Sequence, residues 1–225
     1  MLFRSIDFVP SADAEGNTLF RPVVGGSPLN TAVATARLGC PAAFLGTVST
    51  DLFGDRIVAH LQENGVDTAS IRRSSRPSTL AFVERQPDGS ARYAFFADGA
   101  ADRDVRPEHA ALPDGARALQ IGSISLLGSP SGETIVSLAE AVGETVVVSL
   151  DPNIRPGLVA DEAAYRALLS RAISAATIVK ISDEDLRWLG HPADEFGMAA
   201  ILAMGPGLVL MTRGADGALA ATTTE

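Results

Sequence analysis

Two short runs combine residue types suited to holding a small polar ligand. The first is Gly25-Gly26-Ser27-Pro28-Leu29-Asn30-Thr31-Ala32. Paired glycines let the backbone approach a ligand closely. Pro28 suits the first turn of a helix, and the Asn30 amide, near that helix start, can bind a hydroxyl. A glycine loop that merely opens a helix would read the same. The second run is Asp151-Pro152-Asn153-Ile154-Arg155, which follows the apolar stretch Thr145-Val146-Val147-Val148-Ser149-Leu150. It therefore sits at the carboxyl end of a buried strand, where open α/β sheets bind ligands. Asp, Asn and Arg together can hold a polyol or a phosphate; an Asx-type turn capping the strand also accounts for them.

Other chemistries find little support. Cys40 is the single cysteine, which excludes an internal disulfide and fits a reducing compartment. Its apolar surroundings predict a buried small residue rather than a nucleophile. His60, His109 and His191 stand alone, without the spacing of a zinc site. The net charge is -9 with no Lys/Arg cluster, against nucleic-acid binding. No apolar run approaches the ~18 residues of a membrane span, and Asp7 interrupts any signal-peptide core. A cytoplasmic protein without nucleic-acid or membrane partners is expected.

The elements that must position these runs follow two patterns. From about residue 119 onward, strands alternate with helices. Strands are expected over 119–124, 145–150, 177–181, 208–212 and 218–222. Helices are expected over 131–142, 161–176, 183–189 and 193–204. In the second helix, Ala164, Leu168, Ala172 and Ala175 should face inward, and the 145–150 strand should be buried on both faces. Such alternation means a mostly parallel sheet covered by helices. Toward the N-terminus, helices 29–38 and 54–64 obey the same logic, with Leu29, Val33, Ala36 and Cys40 as the inner stripe of the first. Residues 78–84 and 91–96 instead alternate around Gln86-Pro87-Asp88-Gly89-Ser90, a hairpin turn. With 17–24 they could form a small separate β-sheet, such as a lid.

Several motifs together resemble one family. Gly25-Gly26, Asn30-Thr31-Ala32, Arg37-Leu38-Gly39 and the run from Phe44 through Asp51 to Phe53-Gly54 resemble the N-terminal signature of the PfkB (ribokinase-like) carbohydrate kinases. Ser49 replaces a late glycine of that signature; with Asp51 it resembles the bacterial fructokinase variant. Asn64-Gly65-Val66-Asp67-Thr68, Asp151-Pro152-Asn153-Ile154-Arg155 and Thr212-Arg213-Gly214-Ala215-Asp216-Gly217 extend the likeness over nearly the whole chain.

The resemblance implies a ribokinase-like three-layer α/β sandwich with a mostly parallel central sheet and a small β lid. Residues 1–225 would form one such domain, incomplete at its C-terminus, with lid strands within 5–24 and 78–97. It implies ATP-dependent phosphorylation of a sugar hydroxyl, with Mg²⁺. Asp7, Gly25, Gly26, Asn30, Phe95 and Arg155 would bind the sugar, and Phe96 is a second aromatic candidate. Lys180, Ser182, Thr212, Gly214 and Gly217 would serve the nucleotide, and Asp185 the metal. Ser182 and Asp185 stand where the family often has Asn and Glu; plain helix capping also explains Ser182, and a plain β-turn the glycines. The residues before Asp7 depart from the family's usual Gly-Glu pair, so the first strand is expected to be shortened or displaced. The family's glycine-rich Asp-Thr-x-Gly-Ala-Gly-Asp run, which carries the anion hole and the catalytic base, does not occur. No catalytic base is assigned, one is expected beyond Glu225, and the chain alone should be inactive. Alternatives are a 2-keto-3-deoxygluconate kinase and a non-catalytic sugar-binding pseudokinase. A homodimer through the lid is expected.

Overall fold

A computed structural model describes residues 5–85, 91–143 and 145–223. The hairpin turn expected at 86–90 lies outside the described residues. The chain forms two compact units, Met1–Val105 and Arg106–Glu225.

The first unit holds a four-stranded sheet of order β2-β1-β5-β6, formed by β1 (Ser5–Ala12), β2 (Thr18–Gly25), β5 (Leu80–Arg85) and β6 (Ala91–Phe96). Strand β1 pairs antiparallel with β2 and parallel with β5. Its eight residues correct the expectation of a shortened first strand: the Ser5 to Ala12 stretch finds a partner at every position of β2. One face of the sheet is aromatic. Phe8 and Phe82 stack at 4.7 Å, and Phe20 and Phe96 meet Phe82 edge-on.

At its other end that face, through Ile6, joins a core with Leu29, Ala32 and Val33 of α1 (Ser27–Arg37) and Ile57 and Leu61 of α2 (Leu52–Glu63). Cys40 is exposed, not buried as its neighbours suggested. The left-handed φ of Gly39 ends the helix before Cys40 can join the stripe. Between the two helices lies β3 (Gly46–Ser49), paired parallel with β4 (Ile71–Ser74).

Residues around Ser49 and Asp51 tie this unit together. Asp51 caps α2 by accepting from the amides of Phe53 and Gly54, and also accepts from Ser78 N and Ser78 Oγ, both at 2.8 Å. One carboxylate thus joins the start of α2 to the approach of β5. The Ser49 carbonyl accepts two bonds from Arg73, at 3.1 and 2.7 Å. A Cβ at Gly54 would lie 1.9 Å from that same oxygen, so α2 docks on β3 only with glycine there. Burial works against the Asp51 carboxylate, but the hydrogen bonds from Gly54, Ser78 and Ser49 outweigh it and hold the carboxyl below its ordinary range.

The second unit is a five-stranded sheet of order β11-β10-β9-β8-β7. Its strands are β7 (Ala118–Gly122), β8 (Val147–Asp151), β9 (Ile178–Ser182), β10 (Leu208–Thr212) and the antiparallel edge strand β11 (Ala218–Thr222). Helices α3 (Ser131–Val142), α4 (Glu162–Ser174), α5 (Asp183–Leu189) and α6 (Glu195–Leu202) make the connections. The α/β class, with a parallel sheet and a separate small β-sheet, is as expected.

Three details differ from the sequence reading. Strand β7 stops at Gly122, because Gly122 and Ser123 both take positive φ and turn the chain away. In α4 the inward stripe is Tyr165, Leu168, Leu169, Ala172 and Ile173, whereas Ala164 is exposed, since the larger side chains claim the core. Strand β8 is not buried on both faces: Val147, at its exposed first position, lies open to solvent. On the α4–α5 side, the Arg166 guanidinium lies 4.0 Å over the Trp188 ring and its Nη2 donates to the Trp188 carbonyl, while Tyr165 meets Trp188 at 5.8 Å. Among the described residues no helix is long and apolar enough to cross a membrane.

Asp51→Ala should destabilise the protein by about 1–2 kcal/mol at neutral pH, the range of a lost helix cap. Because the folded carboxyl is held low, this contribution exists above the unfolded-state value and fades as pH falls through the folded one. Urea unfolding of both proteins should therefore separate them at pH 7 and bring them together in strong acid. A gap that persists unchanged in acid would show that the Asp51 charge is not involved.

Candidate functional site

In the first unit, strand register decides which residues share a face. Asp7 pairs with Val23 and with Ala81, and Ala81 pairs with Phe95. Laterally paired residues project to the same side of a sheet. Asp7 and Phe95 therefore share one face, on which Tyr93 stacks against Phe95 at 5.6 Å. Phe96 belongs to the opposite, aromatic face.

The Asp7 carboxylate is tightly placed. Ser5 Oγ donates to Asp7 Oδ1 at 2.5 Å. A Cβ at Gly25 would come 2.5 Å from Asp7 Oδ2, so the carboxylate rests against a residue that must lack a side chain. Burial pushes the Asp7 carboxyl above its ordinary range, and the Ser5 bond opposes that rise. The next residue, Gly26, has φ +110° and precedes α1. Its carbonyl accepts from Asn30 N at 2.9 Å, and Asn30 itself is exposed. Asp7, Gly25, Gly26 and Asn30 are thus gathered at the end of β2.

In the second unit, the carboxyl ends of β7, β8, β9 and β10 carry the remaining residues. Asp151 ends β8, and Lys180 Nζ lies 3.3 Å from both its carboxylate oxygens. Burial pushes the Asp151 carboxyl upward, and Lys180 pulls it back. Asn153 takes a positive φ of 41° and its amide reaches Ser123 Oγ at 3.4 Å. Arg155 Nη1 donates to the Asn153 and Ile154 carbonyls, at 3.3 and 3.0 Å. Ser182 caps α5, its Oγ accepting from Asp185 N at 3.0 Å. Thr212 lies beside Ser182 in the parallel pair, followed by Gly214 (φ +56°) and Gly217 (φ +82°) in a tight turn closed by Arg213 N to Gly217 O.

Asp185 is 5% exposed. Its Oδ1 accepts from Ile154 N at 2.9 Å, while its buried Oδ2 has no hydrogen-bond partner among the described residues. An orphaned buried carboxylate oxygen is costly unless something else binds it, and a hard cation or its water suits it. No cluster of three or more His, Cys, Asp or Glu able to hold a metal occurs among the described residues. A cation here would draw most of its ligands from water and from a bound phosphate, as Mg²⁺ commonly does.

In the first unit Asp7, Gly25, Phe95 and Phe96 lie on the small sheet, while Gly26 precedes α1 and Asn30 lies within it; in the second, Arg155 follows β8, Lys180 and Ser182 lie on β9, Asp185 lies within α5, and Thr212 ends β10 ahead of Gly214 and Gly217. Sequence reasoning missed two participants, Ser5 and Gly122, and one pairing, that of Lys180 with Asp151. Ser5 bonds Asp7; strand alternation, which puts residues two apart on one face, was the available signal. Lys180 pairs with Asp151, although strand-end positions on neighbouring parallel strands could have suggested it. Gly122 permits β7 to end against β8, since a Cβ there would lie 1.9 Å from the Asp151 carbonyl; its mark was a Gly-Ser pair after an apolar strand.

Known proteins match this arrangement closely. A fructokinase of Rhizobium leguminosarum bv. trifolii is 41% identical over 217 residues, covering 95% of this chain; the chain spans 66% of that relative's length. The fructokinase structure from Xylella fastidiosa superposes with TM-score 0.89 at 29% identity, over 100% of this chain and 74% of that one. A Vibrio cholerae O395 fructokinase in fructose, ADP and calcium ion bound form gives TM-score 0.85 at 29% identity, over 100% of this chain and 72% of that one. Residues 6–225 match the profile of the pfkB family carbohydrate kinases. With that match running through every strand and turn described above, the chain belongs to the pfkB carbohydrate kinase family.

Proposed function

We propose that this chain carries the sugar-holding and nucleotide-holding residues of an ATP-dependent sugar kinase whose acceptor is D-fructose. The observation that carries this reading is the Asp7 carboxylate, half-buried, held by Ser5 and seated on Gly25 on the face that presents Phe95. An ionised carboxylate so fixed accepts hydrogen bonds from adjacent hydroxyls, and an aromatic edge covers the apolar side of a sugar. The similarity to fructokinases favours fructose over other polyols.

Each residue then has a task. In the first unit Asp7 orients the sugar, with Asn30 donating or accepting at a second hydroxyl; in the second, Arg155 offers positive charge at the carboxyl end of β8. When bound, ATP with Mg²⁺ supplies the transferable phosphoryl group. Lys180 offers it a cation beside Asp151; Thr212 and the Gly214 and Gly217 backbone give a close polar surface. Asp185 Oδ2 would hold the metal's water shell. Phosphoryl transfer depends chiefly on such positioning and charge neutralisation. The base that takes the hydroxyl proton is assigned to no residue within 1–225. A cytoplasmic location fits an enzyme that draws on ATP.

The aromatic face of the small sheet supports a homodimer. Phe20 is 45% and Phe96 63% exposed, and a groove of about 610 Å³ runs along Pro10, Phe20, Phe82 and Arg92. Clustered exposed aromatics of this kind mark interaction surfaces, and a second copy supplies the same self-complementary patch.

Three outcomes are expected. Calorimetric titration should detect D-fructose binding, and Asp7→Ala should weaken it by about 10- to 150-fold, the worth of a charge-assisted hydrogen bond. Because burial raises the Asp7 carboxyl, affinity should also fall in mild acid; equal affinity of the two proteins would defeat the reading. Lys180→Met should weaken ATP binding about tenfold or more while leaving fructose binding intact; unchanged ATP affinity would remove Lys180 from the nucleotide site. In sedimentation, Phe96→Asp should convert a dimer to a monomer, and a wild-type monomer at all concentrations would refute pairing through this face.

A further inference from the structure

Ser5 precedes Asp7 by two residues on β1, so both side chains leave the same face of the strand. Ser5 is 2% exposed, and its hydroxyl proton goes to Asp7 Oδ1 at 2.5 Å. On the other side, Asp7 Oδ2 lies against the bare backbone of Gly25. The carboxylate is therefore restrained twice, by a donor on one oxygen and by close contact on the other. Turning it about its Cβ–Cγ bond would break the first and tighten the second.

We propose that Ser5 is a positioning residue for sugar binding, which fixes the Asp7 carboxylate so that Oδ2 and the remaining lone pair of Oδ1 are presented to the ligand's hydroxyls. This rests on the reading of Asp7 as the sugar's acceptor. Ser5 does a second thing through the same bond. Burial disfavours the charged carboxylate, and the Ser5 hydroxyl is what opposes it. The neighbours paired across from Asp7 are Val23 and Ala81, with Phe95 beyond, all without charge. On the described part of that face the titratable groups are Arg21 on β2 and Tyr93 on β6, opposite Val9 and Val83 respectively. Helix α1 has no acid in its first turn, and its Arg37 lies in the last.

A merely structural Ser5, satisfying its own buried hydroxyl, would affect stability and nothing else. A positioning Ser5 affects how sugar affinity depends on pH. The test is calorimetric titration of D-fructose into wild type, Ser5→Ala, Ser5→Thr and Asp7→Ala from neutral to mildly acid pH. Alongside it, the Asp7 carboxyl carbon is titrated by NMR in the sugar-free proteins. Ser5→Ala should bind about three- to tenfold more weakly at neutral pH. Its acid limb, and the Asp7 titration itself, should move upward by about half a pH unit or more, because the charged form has lost its donor. Ser5→Thr, which keeps the hydroxyl, should restore both. If Asp7→Ala weakens binding while Ser5→Ala leaves affinity and acid limb unmoved, the role of Ser5 is overturned and that of Asp7 stands. If Asp7→Ala binds as wild type does, the Asp7 reading falls and the Ser5 role falls with it. Should Ser5→Ala fail to fold, Ser5→Cys, with a weaker donor of similar size, is read in the same two assays, and an unmoved Asp7 titration there refutes the proposal.

Discussion

The carboxyl edge of the parallel sheet depends on one place where two strands come too close for a side chain. A Cβ at Gly122 would sit 1.9 Å from the Asp151 carbonyl. With glycine there, β7 turns immediately after its last residue and Ser123 N bonds the Pro152 carbonyl at 3.1 Å. That contact fixes the bend after β8. The bend in turn aims Ile154 N at Asp185 Oδ1, so a buried carboxylate gains a donor it could not do without. Arg155 lies within the same bend and bonds its carbonyls at Asn153 and Ile154. A methyl group at position 122 would collide with the Asp151 carbonyl, at the start of that bend.

Glycine serves the first unit in the same way. Gly25 leaves room for the Asp7 carboxylate, and Gly54 leaves room for the Ser49 carbonyl. The carboxylates beside them nevertheless behave oppositely. Asp51 is wrapped by backbone and hydroxyl donors that outweigh burial, so it is held in its charged form and works as a clamp. Asp7 and Asp151 are pushed upward by burial and are only partly compensated, Asp7 by one hydroxyl and Asp151 by one ammonium. A carboxylate left short of donors has binding capacity to offer a ligand; one already satisfied has none. This difference separates the structural acid Asp51 from Asp7 in its own unit and from Asp151 in the other more clearly than position in the chain does.

Much of this was legible in the sequence because periodicity and glycine placement act locally. The strand-helix alternation after residue 118 and the edge strand Ala218–Thr222 were readable from apolar spacing alone, as was the alternation within 78–84. The Gly25-Gly26 pair and the Asp151 to Arg155 run announced the ends of two strands. What could not be read depends on partners distant in sequence. Cys40 looked buried by its neighbours, but helix α1 ends first. On α4, Leu168 and Ala172 face inward as expected, but Tyr165 takes the core in place of Ala164, because the larger side chain gains more from burial. Spacing puts Ser5 on the face of Asp7, but whether the hydroxyl bonds the carboxylate is a side-chain choice, as are the Lys180 bond to Asp151 and the grip of Asp51 on Ser78.

The stack of Arg166 on Trp188 has an optical consequence. Trp188 is the sole tryptophan among 225 residues, so its indole emission comes from a single known place. That place is three residues beyond Asp185 on the same short helix, beside Tyr165, whose own hydroxyl feels the Asp185 charge. The ring has a cation on its face and a tyrosine near enough to pass it excitation energy. A change of charge at Asp185, or a small shift of α5 against α4, alters the field and the packing around the indole together. The protein therefore carries, unlabelled, a fluorophore placed three residues from the buried Asp185 carboxylate on the same helix.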